Sequence, residues 1–328
     1  MDTTTQRNSP PLNIVLGGAG LGGPAFETDD DVNQFLDTFT ARGHNQVDTA
    51  RVYAASEERL GDISAAARLK IDTKAVPGMP SSDGVKPKQV HTKAQVLADI
   101  DESLKTLKTT QINIEYLHAP DRNTPFSEAC EAMDEAHKAG KIRAWGLSNY
   151  TAEEVQSIVD ICDERGLLRP AVYQGQYNPL VRGGEKQLFP VLRKAGMAFY
   201  AYSPAAGGFF AGNYQSPRPG GRFDVKGRAG SIWGPQWLKP RLMEAADNVR
   251  KLASSHGIDG HSMSLRWVLH HSILSRNYGD SVIIGASGVD QLKSNLDAVE
   301  MGPLPGDLVA ALNGVFDECD GEVVPYHA

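Results

Sequence analysis

Four side chains with acid–base character stand at or just past the ends of apolar segments early in the chain: Asp48 in NQVDTARVY, Tyr53 five residues later, Lys74 in KIDTKAVP and His118 in INIEYLHAPD. A phenol, an ammonium, an imidazole and a carboxylate are the set that carbonyl reduction requires. Free tyrosine ionises near pH ~10 and is a poor acid at neutral pH unless a neighbouring cation stabilises its phenolate. Lys74 is the candidate cation, expected to draw the Tyr53 pKa down. Asp48 would hold the lysine and keep it protonated, and His118 would steer a substrate oxygen toward the phenol. Singly, each has a plainer reading, since a lysine after a strand is usually a solvated charge and a histidine there is usually structural. Their shared position argues for function, because strand carboxyl ends line one mouth in parallel α/β barrels.

The elements that must position them recur with a βα rhythm. Short apolar or β-branched runs are expected as strands at 13–16, 46–48, 70–73, 114–117, 144–147, 171–174, 198–202 and 281–284, separated by stretches with helical periodicity. Eight such units close a (β/α)8 barrel. Thr28-Asp29-Asp30 has the chemistry of a helix start, and Gly43 follows its end; Val96, Ile100, Leu104 and Leu107 form one face of a helix over 92–108. Thr151 begins T-A-E-E, a capping-box pattern, for a helix to Arg165. Further helices are expected at 185–195, 241–256, 262–271, 289–299 and 305–316. The organisation is one domain: a flexible start at 1–11, a barrel over 12–316 with a long loop at 206–240, and a tail at 317–328. The long loop, rich in Gly and Pro and containing Trp233 and Trp237, reads as a lid. A second loop, 77–87, follows Lys74.

Composition agrees with an enzyme of this kind. At 328 residues with 41% hydrophobic content, the chain can bury one large core. Its 33 Lys plus Arg against 40 Asp plus Glu leave a net charge of −7, which argues against nucleic-acid or anionic-membrane binding. Cys130, Cys162 and Cys319 are far apart and form no CxxC pair, so neither a zinc site nor a disulfide framework is indicated. No apolar run approaches the ~18 residues of a membrane span, and MDTTTQRNSPP lacks the apolar stretch of a secretory signal. A cytoplasmic protein with reduced thiols, and a homodimer, are the expected setting.

The motifs NQVDTARVY, DTK, YLHAPD, GLSNY, VYQGQYNPL, AYSPAAGG and VIIGASGVDQLKSN, in this order, resemble those of the aldo-keto reductases, in particular the branch typified by aflatoxin aldehyde reductases. The resemblance runs from about Leu12 to about Phe316. It implies NADPH as cofactor. By the same resemblance, Ser148, Asn149 and Gln174 would hydrogen-bond the nicotinamide carboxamide, and Tyr202 would lie against the ring. Ser203, Pro204, Ala205, Gly207 and Gly208 would meet the pyrophosphate, and Gly285, Ala286, Ser287, Gln291 and Asn295 the adenosine end, where a helix amino terminus favours anions. The lysine and arginine that commonly clamp the 2′-phosphate appear here as Gly285 and Gln291, so Arg222 and Lys293 are the candidate replacements. LGGAGLGGP lacks an acidic partner about 20 residues on and is no dinucleotide fingerprint; its glycines are expected to let the first strand turn tightly beneath a ligand.

The expected reaction is therefore reduction of an aldehyde or ketone to an alcohol, with Tyr53 as proton donor. Phe26, Tyr53, His118, Tyr150, Trp233 and the tail 323–327 are expected around the substrate. The chain ends EVVPYHA, without the cationic residue that receives a substrate carboxylate in several relatives, which favours a neutral, bulkier carbonyl compound such as a secondary-metabolite intermediate. Two alternatives belong to other classes. The same fold serves slow nicotinamide-binding accessory or sensor subunits, and a metal-dependent barrel hydrolase would need a His and Asp cluster that the sequence does not display; His270-His271 is an isolated structural pair.

Overall fold

The computed structural model describes residues 11–76, 90–319 and 321–327. Most of the 1–11 segment and the 77–87 loop thus lie outside the described residues. Eight parallel strands pair in chain order and close on themselves: β1 Asn13–Gly17, β2 Gln46–Asp48, β3 Lys70–Ala75, β4 Ile112–Leu117, β5 Ile142–Ser148, β6 Val172–Gln176, β7 Ala198–Tyr202 and β8 Ser281–Gly285. β8 pairs back onto β1 over the full strand, from Asn13 opposite Ser281 to Gly17 opposite Gly285. The expected (β/α)8 barrel is the fold.

The helices cover the barrel from outside. They are α1 Asp29–Thr40, α2 Ser56–Asp62, α3 Lys93–Thr106, α4 Phe126–Lys138, α5 Ala152–Arg165, α6 Gly184–Ala195, α7 Arg228–Trp237, α8 Pro240–Ser255, α9 Gly260–His270, α10 Val289–Glu300 and α11 Gly306–Glu318. Two of the predicted starts are full capping boxes: Thr28 with Asp31 on α1, and Thr151 with Glu154 on α5. α5 ends at Gly166, whose φ of 63° closes the helix in the left-handed region. The core between sheet and helices is continuous, while Val15, Ile114, Tyr116, Val172, Tyr200 and Ile283 form a separate cluster drawn only from strands. That cluster fills the barrel interior, as alternate strand residues must.

Three helices depart from the sequence expectation. α4 lies between β4 and β5 where none was expected; its buried face is Ala129, Cys130, Ala132, Met133, Asp134 and Ala136, without a leucine, isoleucine or valine to mark it. α2 is only seven residues long. α7 falls inside the stretch expected as an open loop. That stretch has its own small core, in which Phe209 packs on Tyr214 at 4.7 Å and on Trp237 at 5.2 Å, and Trp233 stacks on Trp237 at 6.1 Å. Aromatic side chains supply the burial that a bare loop of this length would lack.

Candidate active site

β2 and β3 end side by side, and their last inward-facing residues meet. Lys74, fully buried, donates from Nζ to both carboxylate oxygens of Asp48 at 2.6 and 2.7 Å and to the Thr49 carbonyl at 2.7 Å. From the opposite wall, Gln174 Nε2 on β6 donates to Asp48 Oδ1 at 2.7 Å. Only a closed barrel lets β6 reach β2 in this way. All three donors of the ammonium are thereby used within the site. Burial alone would lower the Lys74 pKa, but the carboxylate of Asp48 and the phenol of Tyr53 outweigh it and raise the value, so Lys74 is an ammonium.

Tyr53 reaches the same place from the turn after β2. The turn is closed by Tyr53 N donating to Ala50 O at 3.0 Å and Ser56 N to Tyr53 O at 2.9 Å, and Ser56 Oγ ties it to the Gly18 carbonyl at 2.8 Å. Here lies the reason for the glycines of LGGAGLGGP. A Cβ on Gly18 would come within 2.9 Å of the Asp48 carbonyl oxygen, and one on Gly22 within 2.7 Å of Ala55 N, so the segment is glycine-rich because it presses against the Tyr53 turn. Lys74 Nζ lies 5.0 Å from the centre of the Tyr53 ring.

The electrostatic outcome differs from the sequence expectation in one respect. Burial pushes the Tyr53 pKa up; Lys74 opposes this, and Asp48 adds to it, leaving a net rise. Tyr53 is thus a neutral phenol, the protonated state that a general acid needs, and Lys74 limits the rise rather than reversing it. His118, just past β4, stands edge-on to Tyr53 with ring centres 5.6 Å apart. Burial, aided by the Lys74 charge, drives its pKa down to about 3, so the imidazole is neutral. Its Nδ1 has no hydrogen-bond partner among the described residues. A neutral phenol and a neutral imidazole over a fixed ammonium form a donor array for a developing alkoxide.

Ser148, Asn149 and Tyr202, three of the residues expected around a nicotinamide, are joined to one another. Asn149, held at φ 67°, donates from Nδ2 to the His118 carbonyl at 2.8 Å and to Ser148 Oγ at 3.0 Å, and its Oδ1 accepts from Tyr202 OH at 2.9 Å. Ser203 follows at φ 52°, its carbonyl accepting from Asn178 Nδ2 at 3.2 Å, while the Pro204 carbonyl accepts from Ser264 Oγ at 2.7 Å. Non-glycine residues in the left-handed region concentrate where function over-determines the backbone. Past Ala205, Gly207 lies directly under Arg222, whose Cδ would be 2.9 Å from a Cβ there. The Arg222 guanidinium stacks on Trp233 at 4.9 Å and acts electrostatically on Tyr53. At the far end, Gln291 Oε1 accepts from Ser287 N at 2.7 Å and Ser287 Oγ at 2.8 Å, and buried Asn295 donates to the Gly285 carbonyl at 3.1 Å. A Cβ on Gly285 or Gly288 would meet nothing within 4 Å, leaving the first turn of α10 open to an anion beside Ala286. Lys293 is exposed on α10. Polar groups at one end and an open helix terminus at the other fit a dinucleotide.

Of the side chains expected to line a substrate pocket, Trp233 is partly buried beside Arg222, whereas Phe26 packs in the core on Phe35 at 4.9 Å and Tyr150 on Phe126 at 5.8 Å. The tail is tied down by Ala152 N donating to Tyr326 OH at 3.2 Å and by Lys239 Nζ donating to the Glu322 carbonyl at 2.7 Å. His271 Nε2 accepts from Leu304 N at 2.8 Å, a structural contact. No group of three or more His, Cys, Asp or Glu among the described residues is placed to hold a metal. Two contributors escaped the sequence reading. Asn178 holds the Ser203 carbonyl, and Asp72 lies buried two residues before Lys74; the alternation of KIDTK, which puts Asp72 and Lys74 on one face, is the signal that could have found the latter.

Comparison with known proteins agrees with this geometry. Residues 13–317 match the model of the aldo/keto reductase family. The chain is 38% identical to an aldo-keto reductase of Pseudocercospora fijiensis over 301 residues, 89% of this chain and 100% of that protein. It is 39% identical to human aflatoxin B1 aldehyde reductase member 4 over 294 residues, 84% and 85% of the two chains, and 39% identical to rat aflatoxin B1 aldehyde reductase member 2 over 299 residues, 85% and 78%. With the barrel, the Asp48–Lys74 pair and the Tyr53–His118 mouth in place, the match over nearly the whole length establishes that the chain belongs to the aldo-keto reductase family.

Proposed function

We propose that this oxidoreductase reduces an aldehyde or ketone to the alcohol with NADPH, Tyr53 serving as proton donor. The observation that carries the reading is the convergence of a neutral phenol, a neutral imidazole and a buried ammonium on one barrel mouth. A bound reduced nicotinamide supplies the hydride. Tyr53 gives its hydroxyl proton to the carbonyl oxygen, and Lys74, fixed by Asp48, stabilises the phenolate left behind. His118 donates a hydrogen bond that orients the oxygen. Ser148 and Asn149 exchange their present mutual bond, and Gln174 its bond to Asp48, for the carboxamide, and Tyr202 backs the ring.

The two candidate cations serve different ends of the cofactor. Lys293, on α10, reads the 2′-phosphate; Arg222, within electrostatic reach of Tyr53 and lying over Gly207, serves the phosphates nearer the ring. The tail lacks a lysine or arginine, which supports a neutral, bulky carbonyl substrate of the kind found among secondary-metabolite intermediates. A cytoplasmic homodimer is the proposed setting. Among the described residues no helix is long and apolar enough to cross a membrane.

The test is a screen of aldehydes and ketones in which NADPH consumption is followed by ultraviolet absorbance, with Tyr53→Phe as control. The variant keeps the ring and should lose the ~10²–10⁴-fold typical of acid catalysis while binding cofactor almost normally. Near-normal turnover on the best substrate would overturn the assignment of Tyr53.

A further inference from the structure

Beneath the catalytic pair lies a second carboxyl that the mechanism above does not use. Asp72 is fully buried, directly opposite Asp48 in the β2–β3 register and two residues before Lys74 on the same face of β3. Its backbone carbonyl accepts the Thr49 N–H at 2.8 Å, so it also belongs to the frame that aims the Thr49 carbonyl at Lys74. The carboxyl interacts electrostatically with Asp48 and Lys74 and with the phenols of Tyr116 on β4 and Tyr200 on β7. Among the described residues no cation is hydrogen-bonded to it, and Lys74 Nζ is bonded to Asp48 and Thr49 instead.

Its direct partners are two amides: Gln46 Nε2 donates at 2.6 Å and Asn113 Nδ2 at 2.7 Å. An amide carries an acceptor as well as donors, so a flip of either side chain would let the same cage hold the carboxylic acid as well as the carboxylate. A lysine or arginine could not. Gln46 and Asn113 are only half buried, at the barrel end away from the mouth. Protons can therefore reach Asp72 from the barrel floor whether or not cofactor and substrate fill the mouth.

We infer that Asp72 is a positioning residue of the carbonyl-reducing site: by gaining or losing a proton at the barrel floor it sets the net charge around Lys74, and so the ease with which Tyr53 gives up its proton. With Asp72 neutral, Asp48 and Lys74 balance. With Asp72 ionised, one ammonium serves two carboxylates, the phenolate of Tyr53 is less well stabilised, and proton donation slows. Burial pushes the Asp72 pKa up to about 7, with the Gln46 and Asn113 donors limiting the rise, so the switch falls in the physiological range. The inference rests on the function proposed above, and its test includes a reading that does not need turnover.

The experiment compares the native chain with Asp72→Asn, which keeps the shape and holds the site neutral. The native rate of carbonyl reduction should fall through an inflexion near neutrality as pH rises, by at least about tenfold, the factor for unit charges ~12 Å apart at an effective dielectric constant near 20 and a lower bound for closer ones. Asp72→Asn should lack the inflexion and stay at the low-pH rate. Asn113→Leu, which deletes one donor to the carboxylate, should move the inflexion to higher pH and provides the answer should Asp72→Asn not fold. Independently, the phenolate absorbance assigned to Tyr53 by difference against Tyr53→Phe should appear at lower pH in Asp72→Asn than in the native chain. An inflexion unchanged in both variants, or a Tyr53 titration unmoved by Asp72→Asn, would overturn the role of Asp72. Absent turnover with a Tyr53 titration that still moves would instead count against the proposed reaction alone.

Discussion

Replacing Lys74 by Met separates two things that the buried pair does. The ammonium is fully buried and bonded at 2.6 to 2.7 Å to both Asp48 oxygens and the Thr49 carbonyl. Its loss leaves the Asp48 carboxylate buried with Gln174 as its remaining side-chain donor among the described residues. Breaking one partner out of a buried pair typically costs about 3–5 kcal/mol, because the other charge is stranded. For a chain of 328 residues, with an unfolding entropy of about 2 cal/mol/K per residue, that lowers Tm by about 4–7 °C. Turnover should fall by at least ~10²–10⁴-fold, since Tyr53 loses the cation that opposes its burial. Adding Asp48→Asn to Lys74→Met removes the stranded charge. Most of the stability should then return, while turnover stays lost. Calorimetry and the cofactor absorbance assay on the single and double variants read the two effects separately. A single variant with native turnover and pH profile would make Lys74 a bystander, and a double variant as unstable as the sum of its parts would refute the stranded-charge account.

Three other outcomes follow from the same geometry. Lys293→Ala should weaken NADPH binding more than NADH binding in fluorescence titrations, whereas Arg222→Ala should weaken both alike; a preference unchanged by Lys293→Ala would remove it from the phosphate site. Hydrogen exchange over 212–237 should slow when NADPH is added, if the segment carrying α7 closes on the cofactor; protection unaltered at saturation would leave its aromatic core as a static excursion. Glu115 is fully buried with both oxygens unpartnered among the described residues, and burial holds its pKa far above the usual carboxyl range. A raised carboxyl contributes stability at low pH that is lost as pH climbs above the unfolded value, so Glu115→Gln should gain Tm over the native protein on going from about pH 5 to about pH 8. An equal Tm difference at both pH values would show that Glu115 does not titrate across this window.

The local signals in this chain were legible where chemistry and pattern coincide. Short apolar or β-branched runs mark most of the strands, because strands buried on both faces read as continuous apolar segments, and Thr28 and Thr151 mark helix starts because their hydroxyls satisfy N–H groups left open by the helix itself. Asp48, Tyr53, Lys74 and His118 stand out since polar groups at the ends of apolar strands are costly to keep without a purpose. α4 does not stand out, because its buried face is mostly small side chains, with no leucine, isoleucine or valine among them. Nor does the 206–240 stretch disclose α7, whose Pro235 and glycines contradict helix propensity and which depends on Phe209, Trp233 and Trp237 meeting across it. What the sequence determined by itself is therefore the strand inventory, most of the helices, their order, and which side chains can carry charge at the strand ends. Closure of the barrel decided the rest. It brings Gln174 across to Asp48, removes water from Tyr53 so that burial outweighs the Lys74 cation, and encloses Asp72 among amides. These effects depend on distance and desolvation through space, and neither is encoded in the spacing of residues along the chain.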